Sequence, residues 1–286
     1  MVSAQANATN DIDPEAKGSP EIPYPGLRPF ESAEHDRFFG REKQIEEIIE
    51  RLRHQHFAAI LGGSGCGKSS LVRAGVIPEL KLYGIHERGD FWLAASFTPG
   101  TEPIKNLARA LDALLVPPDN PTQQKERFAE IEDELAEPDG LAEFMKTFRD
   151  RIRLDHGAPD SLRARVNLLI LADQFEEIFR PSNERNAQVR KLVELIVSSH
   201  KRPHEAVYVV LTMRTEDLHK CAAFMDLPEM LNAASYMTRR LNEDEFSLAI
   251  LKPAKRFPQP RNGLNLALFR LAFYRRTIPG HSNWRS

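Results

Sequence analysis

One octapeptide constrains this chain more than any other feature. Gly62-Gly63-Ser64-Gly65-Cys66-Gly67-Lys68-Ser69 fits the pattern G-x-x-x-x-G-K-[ST]. The apolar run Phe57-Ala58-Ala59-Ile60-Leu61 leads into it, and Ser70-Leu71-Val72-Arg73-Ala74 follows with helical character. A strand, a glycine-rich turn and a helix N-terminus are the three parts of a phosphate cradle. Glycines let backbone N–H groups turn inward and approach phosphate oxygens, while the helix dipole favours the anion. In such a loop the lysine reaches the β/γ-phosphates and the serine hydroxyl ligates Mg²⁺. Residues 62–70, Ser70 included, are therefore the expected contacts of a nucleoside triphosphate, with Lys68 on the phosphates and Ser69 on the metal. The residues alone do not separate ATP from GTP.

The pattern around the loop gives the fold class. Continuous apolar runs at 57–61, 91–97, 167–172 and 206–213, with a shorter one at 236–241, alternate with segments of helical period. Residues 42–53 carry Ile45, Ile48, Ile49 and Leu52 at helical spacing, and 104–115 carry Leu107, Leu111 and Leu114 on one side. Residues 117–165 are charged and helical by pattern, with breaks at Pro138-Asp139-Gly140 and near Gly157-Ala158-Pro159; residues 189–198 form another helix. Strands that are apolar on both faces and alternate with helices predict an α/β three-layer sandwich around a parallel sheet. The expected arrangement is the additional-strand kind of P-loop NTPase. In it, 206–213 is inserted between the strands carrying the two nucleotide motifs, and 91–97 supplies the extra strand–helix unit.

Catalysis needs carboxylates beside the phosphate loop. Leu168-Leu169-Ile170-Leu171-Ala172-Asp173-Gln174-Phe175-Glu176-Glu177 supplies them, with Asp173 at the C-terminal end of a buried strand, where ligands bind in open α/β sheets. Asp173 is the candidate for the metal's outer shell. Glu177, and after it Glu176, is the candidate general base, although acids at a helix start also suit the dipole. Val209-Val210-Leu211-Thr212-Met213-Arg214 ends a strand in Thr-x-Arg, which would set a hydroxyl and a cation level with the γ-phosphate. The alternative for Arg214 is a surface pair with Glu216 or Asp217.

In this order the motifs resemble the STAND class of signal-transduction ATPases, and within it the bacterial novel STAND group. Phe38-Phe39-Gly40-Arg41-Glu42 precedes the phosphate loop, and Asp-Gln-Phe-Glu-Glu and Thr-x-Arg follow. Pro23-Tyr24-Pro25-Gly26-Leu27-Arg28-Pro29-Phe30, a stiff segment expected to run extended along the domain, is similar to that group's lead-in, and Ser69-Ser70-Leu71-Val72-Arg73-Ala74-Gly75 to its first helix. Asp173 to Glu177 is also similar to the acid-rich Walker B of NACHT modules. The resemblance covers about residues 23–254. It implies ATP-Mg²⁺ binding and slow hydrolysis used as a conformational switch in a signalling or defence assembly, with protein partners through self-association or with sensor and effector proteins. The alternatives are a nucleotide-binding interaction module without significant hydrolysis and an AAA-type remodelling ATPase.

The remaining expectations concern the ends and the surroundings. Residues 1–22 read as a disordered leader, 23–240 as the nucleotide-binding domain and 241–286 as an incomplete helical lid, with its N-cap and first turn in Leu241-Asn242-Glu243-Asp244-Glu245-Phe246, and a basic tail. From Phe246 to the C-terminus there are eight Lys or Arg and no Asp or Glu, which suggests a truncated or frameshifted end, or a basic amphipathic helix built on Leu264, Ala267, Leu268, Leu271 and Ala272. A net charge of −2 offers no global field for nucleic acid. Two cysteines, one of them inside the phosphate loop, suit a reducing cytoplasm, and no run of residues is apolar enough to span a bilayer. Arg239 and Arg240 sit where an oligomer could offer an arginine to a neighbour's nucleotide, or simply flank a solvated strand end.

Overall fold

A computed structural model describes residues 23–85, 91–118, 120–156, 166–180, 187–202 and 206–256. Five parallel strands form its sheet: β1 (Phe57–Leu61), β2 (Phe91–Phe97), β3 (Val166–Ala172), β4 (Val207–Met213) and β5 (Ser235–Met237), in the order β2-β3-β4-β1-β5. Every residue of β1, β3 and β4 is buried. Such strands need apolar side chains on both faces, and the sequence provides them. Phe57, Ala59 and Leu61 enter one core cluster, whereas Ala58 and Ile60 enter the other. Strand β4 lies between β1 and β3, so the phosphate-loop strand and the carboxylate strand are separated by one strand, as expected.

Helix α1 (Glu42–Gln55) and helix α2 cover one face of the sheet. Helix α2 runs continuously through Lys68–Ser70, a π-helical stretch Leu71–Val76 and Ile77–Tyr83. They bring Ile48, Leu52, Leu71, Val76 and Leu80 onto Leu169, Leu171 and Val210. The other face is covered by α3 (Pro103–Asp112), α4 (Pro121–Glu134), α5 (Gly140–His156), α6 (Ala187–His200) and α7 (Leu227–Ala234). The long charged stretch is thus two helices on either side of the break at Pro138-Asp139-Gly140. They hide Ile131, Phe144 and Phe148 while exposing Glu126, Glu130, Glu143 and Lys146.

Several boundaries differ from the sequence reading, each for a local reason. Ala206 adopts φ +57° and stays outside the β4 ladder, although its carbonyl still accepts from Leu168 N–H. The last strand ends at Met237, because the chain peels away there toward the final helix, α8 (Glu243–Arg256). Instead of running extended from 23 to 30, the lead-in turns at Gly26, with φ +77°, and enters a 3₁₀ helix, Ser32–Arg37. The proposed leader, the break near Gly157 and the basic tail after residue 256 lie outside the described residues.

Helix α8 begins with a reciprocal cap. Asn242 N–H donates to the Glu245 carboxylate at 2.9 Å, and Glu245 N–H donates to Asn242 Oδ1 at 2.8 Å. The Arg239 guanidinium also grips Glu245 and holds its carboxyl well below the usual range, at about 2. Further along, Tyr24 OH donates to Ile250 O, and Lys252 lies over the Phe39 ring. At Gly40, with φ +83°, a Cβ would lie 2.2 Å from Glu245 O, so only glycine lets α8 approach this closely. Gly40→Ala is therefore expected to cost about 2 kcal/mol of stability through backbone strain and lost docking. Urea unfolding measures it; an unchanged midpoint would mean that α8 does not depend on this approach.

Candidate nucleotide site

Parallel register places the candidate residues at one edge. Leu61 lies beside Met213 and Ala172 beside Leu211, so the chain leaves β1 into the loop, β3 into Asp173 and β4 into Arg214 along one line. The loop's shape follows from its glycines. Gly65 and Gly67 take φ +74° and +91°, a left-handed backbone that side chains resist. A Cβ on Gly62 would lie 2.7 Å from Cys66 Sγ and 3.4 Å from Thr238 Cβ, so this turn is closed down on its own neighbours. Helix α2 then starts at Lys68, and its first N–H groups point back into the loop without helical partners.

Lys68 is buried, and its ammonium donates to Gly62 O at 2.8 Å and Gly63 O at 3.0 Å. It therefore spans the loop from behind, where an anion's oxygens could compete with the carbonyls for it. Arg41 clamps the same loop from outside, donating to Cys66 O at 3.1 Å, to Gln44 Oε1 at 2.6 Å and to Arg239 O at 2.7 Å. Burial pushes its guanidinium pKa down, with the Cys66 thiol and Glu245 opposing the shift. Gln44, fully buried in α1, meets this clamp through its Oε1, while its Nε2 is buried with no hydrogen-bond partner among the described residues.

Asp173 is the centre of the arrangement. It is 1% exposed, yet it carries no local countercharge on its own strand. Ser69 Oγ donates to its Oδ1 at 2.8 Å, Thr212 Oγ1 donates to the same oxygen at 2.5 Å, and Arg73 donates to Oδ2 at 2.9 Å. Thr212 Oγ1 also accepts from Gln174 N–H at 2.9 Å, which holds the left-handed turn after β3. Asp173 N–H is itself fixed by Phe97 O at 2.8 Å. Expected metal residues Ser69 and Asp173 are thus hydrogen-bonded to each other. A hydroxyl and a carboxylate are hard oxygen donors, which fits Mg²⁺ completed by phosphates and water rather than an all-protein cage. Among the described residues no cluster of three or more His, Cys, Asp or Glu could hold a metal.

The glutamates differ in their partners. In the 3₁₀ segment Phe175–Phe179, Glu176 Oε1 pairs with Arg214 Nε at 3.1 Å, and its Oε2 is buried with no hydrogen-bond partner among the described residues. Glu177 pairs with Arg180 three residues on. Arg214 was expected to face the γ-phosphate or, failing that, to pair with Glu216 or Asp217; its ion-pair partner here is Glu176 rather than either of those acids. Sequence reasoning gave no role to Arg73, which the structure brings onto Asp173 and onto Glu31 at 2.8 Å. The signal was present: Arg73 is the one charged residue in Leu71–Val76, whose other members are all buried. Arg239 is engaged by Glu245, and both cysteines are free thiols, with burial pushing that of Cys221 up to about 12.

Comparison with known proteins decides the family, since the profile described as novel STAND NTPase 1 matches residues 23–260. The chain belongs to this family. It is a P-loop NTPase of the novel STAND type, with the parallel sheet that its motifs implied. Among solved structures, it is similar to the Walker-type ATPase PABY2304 of Pyrococcus abyssi, at 17% identity and TM-score 0.47, covering 87% of this chain and 65% of that one. The ORC2 protein of Aeropyrum pernix, solved in ADPNP–ADP complexes, gives 12% identity and TM-score 0.46 over 75% of this chain and 50% of that protein. PCH-2 of C. elegans gives 11% and 0.33, over 71% and 44%. The chain thus spans less than two thirds of each of these proteins. Among curated proteins, none matches the sequence.

The geometry of the novel STAND site gives a direct test on stability. Thr212→Val removes one of the two donors to Asp173 Oδ1 and the acceptor for Gln174 N–H, at a cost of about 1–3 kcal/mol. Thr212→Ser keeps the hydroxyl and should recover most of the loss. Equal denaturation midpoints for Val and wild type would contradict the role assigned to this hydroxyl.

Proposed function

We infer that the chain binds ATP with Mg²⁺ and hydrolyses it slowly, using the bound nucleotide as a conformational switch in a signalling or defence assembly. The observation that carries this reading is the convergence of Ser69, Thr212 and Arg73 on the buried Asp173 carboxylate, next to a loop spanned by Lys68. Such a site would hold the triphosphate on loop N–H groups, Lys68 and Ser69. Asp173 would orient the metal's water ligands. Mg²⁺, when bound, neutralises phosphate charge and polarises the β–γ bridge.

Switching is supported by what touches the loop from outside. Residues 23–240 would form the nucleotide-binding unit, and 241–286 the start of a lid. Helix α8 meets this unit at Tyr24, Gly40 and Arg239, while Arg41 bonds both Cys66 O in the loop and Arg239 O near the start of that helix. A shift of the loop on binding phosphate would therefore be felt at α8. In the same way, a γ-phosphate would compete with Glu176 for Arg214 and release the carboxylate. Glu176, with its buried unpartnered oxygen, is for that reason a stronger candidate for the general base than Glu177. No helix among the described residues is long and apolar enough to cross a membrane, and a cytoplasmic setting with protein partners is part of the proposal.

A second reading has one observation in its favour. Both candidate bases are ion-paired to arginines, so each carboxylate is already engaged where an attacking water would need it. An interaction module that binds ATP without turnover would look the same.

Two experiments test these readings. Lys68→Ala removes a charge-assisted contact to phosphate, a loss of about 1.5–3 kcal/mol or more. Calorimetry with MgATP should show affinity reduced by at least tenfold, and equal affinities would overturn the assignment of the loop. Glu176→Gln should keep MgATP affinity and lower phosphate release at least about tenfold, since a base acts in the transition state. If Glu177→Gln alone stops turnover, the base is Glu177; a wild type that binds MgATP and releases no phosphate is the interaction module.

A further inference from the structure

Arg73 is in an unusual position for a cation. It sits in a π-helical stretch of α2 whose other residues are all buried, and its guanidinium bridges two acids on different elements. One, Asp173, is 1% exposed; the other, Glu31, is half-exposed and belongs to the lead-in segment before the 3₁₀ helix. Arg73 Nε is buried and has no hydrogen-bond partner among the described residues, so the fork has a donor in reserve. The lead-in is also attached at the neighbouring turn, where Phe30 N–H donates to Ser70 Oγ at 3.1 Å, one residue after Ser69.

A buried carboxylate cannot be left without a countercharge except at a cost of several kcal/mol. Arg73 supplies one, on Oδ2, while Ser69 and Thr212 share Oδ1. A divalent cation held near Ser69 would make that service redundant and repel the guanidinium. Arg73 has somewhere to go, since Glu31 already takes its Nη1. The geometry points to Arg73 as an internal counter-cation that holds Asp173 until Mg²⁺ arrives and then transfers to Glu31. Loading the phosphate loop with metal thus tightens the lead-in segment onto α2. Arg73 is a positioning residue, acting on the metal through Asp173. The inference rests on the reading of Ser69 and Asp173 as the Mg²⁺ residues of a nucleotide site.

The test is a Mg²⁺ titration of the binding of a fluorescent N-methylanthraniloyl-ADP, whose own Mg²⁺ affinity is the same for every variant. Removing a nearby positive charge favours a cation, so Arg73→Ala should lower the half-saturating Mg²⁺ concentration by roughly tenfold. Glu31→Gln leaves Arg73 with Asp173 alone and should raise it several-fold, with affinity in EDTA unchanged. In the double variant the effect of Glu31→Gln should vanish, because it acts only through Arg73. A half-saturation point that stays put or rises in Arg73→Ala would overturn the proposal, as would a Glu31→Gln effect of equal size with and without Arg73. If Arg73→Ala does not fold, Glu31→Gln decides alone: a rise supports the exchange, and no change refutes it. Wild type that binds the probe without any response to Mg²⁺ also refutes it. Failure of wild type to bind the probe in either Mg²⁺ or EDTA would instead refute the nucleotide site itself.

Discussion

The Asp173 carboxylate is the interaction on which the arrangement of this site depends. It ends a strand whose seven residues are all buried, and it is nearly inaccessible to water itself. A charge in that place persists only when each oxygen is satisfied. Three donors do so, Ser69 at the start of α2, Arg73 in the π-helical turn of the same helix and Thr212 in β4. The requirement therefore ties together the three segments that a nucleotide would need in register. Hydrogen bonding to a charged, buried group is also the kind whose loss is felt most, because removing one partner leaves the others stranded.

A second consequence concerns movement. The loop contacts at Lys68 and Arg41 are made to backbone carbonyls, several of them of the loop itself, and an anion would compete for the same cations. Arg41 reaches from the loop to the chain just before α8, and Gly40 beside it is where α8 comes closest. The lead-in segment touches both α8, through Tyr24, and α2, through Phe30 and Glu31. Changes at the phosphates thus have two short physical routes to the flanking elements, each of a few hydrogen bonds or ion pairs. A switch of the proposed kind needs such routes, and neither extends through the hydrophobic core, which is too well packed to deform gradually.

Much of this was legible in the sequence. The glycine pattern, the apolar runs and the acids after residue 172 pointed to the sheet and its inserted fourth strand, and singled out Ser69 and Asp173 as residues of one metal site. Local chemistry also sufficed for the start of α8, where Asn242 and Glu245 stand three apart as a capping box requires. What could not be read were pairings between distant segments. Arg73 with Asp173 spans 100 residues, and Arg214, expected at the γ-phosphate or else beside acids two or three positions away, meets Glu176 on the turn after β3. Spacing along a chain carries no information about which long side chains meet once strands are laid side by side. The lead-in was misjudged for a related reason: its turn at Gly26 and its 3₁₀ helix are stabilised by Arg28 pairing with Glu34, a contact that a run of prolines concealed.

The most direct test of the account is amide hydrogen exchange on the wild-type chain, with and without saturating Mg²⁺ and a non-hydrolysable ATP analogue. The central claim is that Asp173 joins the loop, the carboxylate turn and the Thr212 strand end into one nucleotide-responsive unit. Protection is expected to rise together over residues 62–71, 173–177 and 212–215. Protection confined to the loop, with the other two segments exchanging as before, would contradict it.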